Sequence, residues 1–63
     1  MTEFEKVKNL FTELDVEFKE IDGEQAKIIQ LEAKTKNVEG YPGFITNFNF
    51  DKKGAFETVK IWE

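Results

Sequence analysis

The sequence predicts an α+β domain in which one N-terminal amphipathic helix packs on a four-stranded antiparallel meander, in the order α-β-β-β-β. Three observations carry that expectation. Apolar residues recur at helical intervals up to Leu14, the period changes to two from Val16, and two Asp/Gly-containing turn signals divide the remaining alternation into hairpins. At 63 residues the chain forms a single domain, residues 1–63.

The helix comes first. Thr2 followed by Glu5 has capping-box spacing, and Phe4, Val7, Leu10, Phe11 and Leu14 then form one stripe, which sets the helix at about residues 3 to 14. The opposite face carries Glu3, Glu5, Lys6, Lys8, Asn9 and Glu13 and should meet water. A helix this short is marginal alone, so its stripe is expected to pack on the sheet rather than await a partner.

Val16 and Phe18 alternate with Glu17 and Lys19, Asp22-Gly23 signals a turn, and Ile29, Leu31 and Ala33 resume the alternation as a second strand. A two-residue loop pairs Val16 with Ile29, whereas a four-residue loop pairs Phe18 with Ile29; both turn the same face inward. Thr35 to Gly43 is a polar connection ending in Tyr41-Pro42-Gly43, where Pro42 and Gly43 suit a type II turn. The aromatic residue before proline leaves a cis bond open.

In the last third, Phe44, Phe48, Phe50, Phe56 and Trp62 stand at even positions around Asp51-Lys52-Lys53-Gly54. With Gly54 left-handed, Phe50 falls opposite Phe56, and an unbroken ladder pairs Phe48 with Thr58 and Phe44 with Trp62. The even rings then share the face under the helix. The reverse face receives Ile21, Ala26, Ile28, Ile45, Val59 and Ile61, with Ile45 paired to Ile61, which is too apolar for a face left to water.

The inventory excludes more chemistry than it suggests. The chain contains no Ser, Cys, His or Arg, so Ser-His and Cys-His nucleophile pairs and disulfides are impossible, and no bidentate guanidinium is present to read guanine. Rings must supply the core instead, at 14% aromatic content. Carboxylates alone, without a cleft, do not make an enzyme, and no cofactor or metal is expected. The acidic balance, formal net charge −4, argues against nucleic acid as the partner, although rings on strands can stack bases. No apolar run suggests a membrane span or a secretory signal, and a cytoplasmic location is expected.

Negative charge gathers at the front, where Glu13, Asp15, Glu17, Glu20, Asp22 and Glu24 are interrupted only by Lys19. Such a hairpin would attract a basic protein surface. The whole-chain pattern resembles short, acidic, largely uncharacterised proteins of phages and prophages of Gram-positive bacteria. The residues carrying it are the amphipathic start Phe4 to Leu14, Gly40-Tyr41-Pro42-Gly43-Phe44, the run Phe48-Asn49-Phe50-Asp51-Lys52-Lys53-Gly54-Ala55-Phe56, and terminal Trp62-Glu63. The resemblance implies a fold and a genomic setting, and no active site.

The expected function is therefore that of a non-enzymatic accessory protein that binds another protein, such as a host factor. Glu17, Glu20, Asp22 and Glu24 would present carboxylates, and Ile28, Ile45, Val59 and Ile61 would supply apolar contact. A self-associating module is the alternative, its dimer formed through the second sheet face or the edge strand Thr58 to Trp62.

Overall fold

Thr2 caps the first helical turn in the computed structural model, which describes all residues 1–63. Its hydroxyl accepts the Glu5 N–H, and the Glu5 carboxylate accepts the Thr2 N–H at 3.0 Å, completing the capping box. Helix α1 then runs Glu3–Glu13. It ends in a Schellman motif: Val16 donates to the Phe11 carbonyl and Asp15 to that of Thr12. Asp15 takes the left-handed position, φ 61°, that glycine usually fills. This closure ends the helix without a glycine signal in the sequence.

Four strands follow, β1 Lys19–Asp22, β2 Ala26–Glu32, β3 Ile45–Asp51 and β4 Phe56–Trp62, in the sheet order β1-β2-β3-β4. The α+β meander is as expected. The first hairpin turns later than either expected loop: Glu20, and not Val16 or Phe18, pairs with Ile29, Asp22 pairs with Lys27, and Gly23 donates to the Ala26 carbonyl across Glu24-Gln25. Val16 and Phe18 consequently precede β1 rather than open it. Even residues of β1 still share a face with odd residues of β2, so the inward face is unchanged.

Between β2 and β3, Tyr41 accepts the Phe44 N–H across Pro42 and Gly43, and Gly43 has φ 95°, the expected type II turn. The Tyr41–Pro42 peptide is trans. At the second hairpin Asp51 Oδ1 accepts the N–H groups of Lys53 and Ala55 while Gly54 turns at φ 90°, and Phe50 pairs with Phe56.

Beyond that pair the register departs from expectation. Asn49 pairs with Thr58, Phe48 with Val59, Thr46 with Ile61 and Ile45 with Trp62, because a bulge between Asn49 and Phe50 admits one extra β4 residue. The extra residue, Glu57, reverses the facing of everything after it. Val59 and Ile61 therefore lie on the helix side with Phe48, and Trp62 lies on the reverse face with Ile45. Next to the bulge the Phe56 N–H, which points away from β3 at this non-hydrogen-bonded pair, donates to the Glu3 carboxylate at 2.7 Å. The expected pairings of Phe48 with Thr58, Phe44 with Trp62 and Ile45 with Ile61 are all displaced by the bulge.

The core is thin. Phe4, Ile29 and Phe50 are its buried apolar residues, ringed by Val7, Phe11, Phe18 and Phe48. Phe4 meets Phe50 edge-on at 5.3 Å, and Phe11 meets Phe48 at 5.5 Å, geometry that aligns ring edges with ring faces. Leu10 and Leu14, assigned to the stripe by periodicity, remain 49% and 58% exposed because the helix is not covered on that flank.

The first turn of α1 docks on the second hairpin. Phe4 donates to the Gly54 carbonyl at 2.9 Å, and a Cβ on Gly54 would stand 2.7 Å from Thr2 Cβ. Gly54→Ala should therefore lower stability by about 2–4 kcal/mol, combining positive φ with overlap. Gly43→Ala, with the same sign of φ and open space around it, should cost about 1 kcal/mol. Urea midpoints of the two variants provide the comparison.

Two carboxylates give the fold an acid limb. The Ala55 N–H, with that of Lys53, holds Asp51 below its ordinary 3.8, and the Thr2 backbone holds Glu5 below 4.5. Because both folded values are depressed, their contribution is complete above those ordinary values and disappears as pH falls through the folded ones. Urea midpoints should be level from neutrality to about pH 5 and fall below it, and Asp51→Asn with Glu5→Gln should flatten that fall.

Candidate functional site

The acidic front is less open than its sequence suggests. Glu20 pairs with Lys8 of α1 at 3.1 Å, Asp15 pairs with Lys36, and Glu17 accepts the Lys36 N–H. Hydrogen bonding to Asp15 raises the Lys36 pKa, as bonding to Glu32 raises that of Lys19, so both ion pairs persist through neutral pH. Asp22 and Glu24 at the hairpin tip are exposed and take part in no ion pair. Of the four carboxylates expected to meet a basic surface, Asp22 and Glu24 are thus unpaired, while Glu17 and Glu20 serve the domain itself.

The apolar set is divided by the bulge. Ile28 and Ile45 are half-buried on the reverse face, and Val59 and Ile61 are exposed on the helix side. Trp62, expected under the helix, joins Ile45 on the reverse face at 43% exposure. This face is less apolar than expected, since Asn47, Asn49, Thr58 and Lys60 occupy its centre. Asn47 Oδ1 and Asn49 Oδ1 are buried there without a hydrogen-bond partner.

What the structure brings together is a trough on the helix side. A helix about 10 Å across spans two strands spaced about 4.8 Å apart, and α1 lies over β1 to β3 through Phe18, Ile29, Phe48 and Phe50. Every residue of β4 is left exposed. Glu3 reaches β4 at Phe56, and Leu10 stands two turns further along the same helix flank, followed by Leu14. Leu10 and Leu14 on the free flank of α1, and Val59 and Ile61 on the helix side of β4, are therefore all left open.

The long loop closes the end of this trough. Val38, Tyr41, Phe44, Thr46 and Ile61 surround a depression of about 210 Å³, with Tyr41 tilted over Phe44. A second depression, at Glu17, Lys19, Gln30 and Glu32, holds about 30 Å³, the space of about one water. No group of three His, Cys, Asp or Glu side chains is placed to hold a metal, and no helix is long and apolar enough to cross a membrane.

The signal for the trough lies in the spacing Phe56 to Val59. Two residues separate these apolar positions in a strand whose period is two, and only a bulge places both on one side. In comparisons with protein families, curated proteins and solved structures, nothing matches this chain.

Substitutions separate the trough from the core. Ile61→Lys and Leu14→Lys should change stability by no more than about 0.5 kcal/mol, as at other open surface positions. Phe50→Ala should cost about 3–5 kcal/mol, enough to unfold a domain of this size. Thermal melts followed by circular dichroism measure both.

Proposed function

We propose that the protein is a small non-enzymatic accessory protein, phage- or prophage-encoded, that acts in the host cytoplasm by binding another protein. The observation that carries this reading is the uncovered helix side of β4, where Val59 and Ile61 are exposed, with Leu10 and Leu14 exposed on α1, in a chain with so few buried apolar residues. Leaving apolar side chains in water wastes burial that a thin core needs, and contiguous exposure of this kind marks interaction surfaces. Unpaired Asp22 and Glu24 add attraction to a basic partner, which mainly quickens encounter.

Affinity capture from a Gram-positive host lysate tests the proposal. At least one captured protein should be lost with Ile61→Lys or with the double variant Asp22→Lys plus Glu24→Lys. Capture of nothing, or of the same set by both folded variants, refutes it.

Self-association is the second reading, favoured by β4 itself. This seven-residue edge strand is exposed throughout and has an unpaired backbone edge. Pairing of two copies there, or across Ile45 and Trp62 on the reverse face, would give a twofold dimer. A strict monomer in sedimentation at high micromolar concentration removes that reading.

A further inference from the structure

The depression beside the long loop has a chemistry of its own, and its occupant can be specified on the reading that the protein binds another protein. We propose that it receives an arginine side chain of that partner. The walls are the first reason. Tyr41 and Phe44 stand with ring centroids 6.2 Å apart at an interplanar angle of 47°, an angled aromatic wall to which Val38 and Ile61 add aliphatic surface. Tyr41 is 78% exposed on a backbone that its turn fixes, since Pro42 and Gly43 bring its carbonyl to the Phe44 N–H at 3.2 Å. A ring presented in this way loses little freedom on binding.

Charge complementarity is the second reason. Glu39 lines the same depression and takes part in no ion pair, and no lysine lines it. Lys36 of the same loop is held by Asp15, and the lysine placed over a ring, Lys27, covers Phe4. Ring faces beside a carboxylate, with no cation of their own, select a positive group. Arginine suits them better than lysine, because a flat guanidinium stacks on a ring while its fork bonds a carboxylate, and it sheds water more readily than an ammonium. At about 210 Å³ the space lies below the ~300–1,000 Å³ of sites for drug-sized ligands and fits a single side chain.

Ile61 belongs both to this depression and to the exposed strip of β4, so apolar neighbours of the arginine would meet that strip. The chain itself contains no Arg, and a second copy therefore cannot supply the group.

The probes are three blocked tripeptides: Leu-Arg-Leu, its citrulline twin, which keeps the shape and lacks the charge, and Leu-Lys-Leu. Aromatic and methyl resonances of the full-length protein report binding. Leu-Arg-Leu should shift Tyr41, Phe44 and Ile61 at millimolar concentration, and should bind about fivefold more tightly than the citrulline twin and about threefold more tightly than Leu-Lys-Leu. Glu39→Gln, at an exposed position, should erase the preference for arginine over citrulline. Tyr41→Ala should weaken binding about fivefold, and Tyr41→Phe should retain it.

No shift at about 10 mM, equal binding of the citrulline twin, equal or tighter binding of the lysine peptide, an unchanged preference in Glu39→Gln, or shifts centred on the Asp22-Gly23-Glu24 tip would each overturn the proposal. If Leu-Arg-Leu fails while lysate capture still depends on Ile61, the arginine site falls and the protein-binding reading stands. If it binds as expected while nothing is captured, the depression keeps its guanidinium chemistry and the protein partner falls.

Discussion

Docking of the helix start on the second hairpin is the contact from which the remaining geometry follows. Three groups cooperate there: the Phe4 N–H bonded to the Gly54 carbonyl, Thr2 packed where a Gly54 side chain would be, and the Glu3 carboxylate on the Phe56 N–H. The first turn of any helix has unpaired donors, and this one assigns one of them to a turn carbonyl instead of water. Glu3 takes an N–H that points away from β3, and one residue further on the ladder admits the bulge at Glu57.

From the bulge comes the division of surface. Had β4 kept the unbroken register, Val59 and Ile61 would have enlarged the reverse face and Trp62 would have filled the helix side. Instead the polar residues Thr58 and Lys60 align with Asn49 and Asn47, and Val59 aligns with Phe48. A helix narrower than the sheet then leaves β4 open, and the open strip is apolar.

Much of the architecture is legible from local chemistry. Thr2 and Glu5 announce the cap, Pro42-Gly43 and Asp51 with Gly54 announce their turns, and the pairing of Phe50 with Phe56 follows from the second turn alone. Features set by distant contacts are not legible in that way. The position of the first turn depends on its pairing, with Glu24-Gln25 replacing a stronger Asp-Gly signal, and the left-handed Asp15 defies the preference for glycine. The facing of Val59 and Ile61 depends on the bulge at Glu57, which the even spacing of the rings does not announce. Of the proposed contact residues, Asp22 and Glu24 are free as their positions suggest. Glu20 is engaged by Lys8 and Glu17 by the Lys36 backbone N–H, groups whose proximity only the fold creates.

Fastening residue 3 to residue 56 also orders events in time. During synthesis the N-terminal helix leaves the ribosome long before the turn that holds it has been translated, and a segment this short is barely helical by itself. Phe4, Val7 and Phe11 must wait unshielded for nearly the whole chain. The closing contact is also the one with the greatest loop to close, so completion of the domain is governed by its longest-range step. A tag fused ahead of Thr2 would burden that step, whereas an extension after Glu63 would leave it untouched.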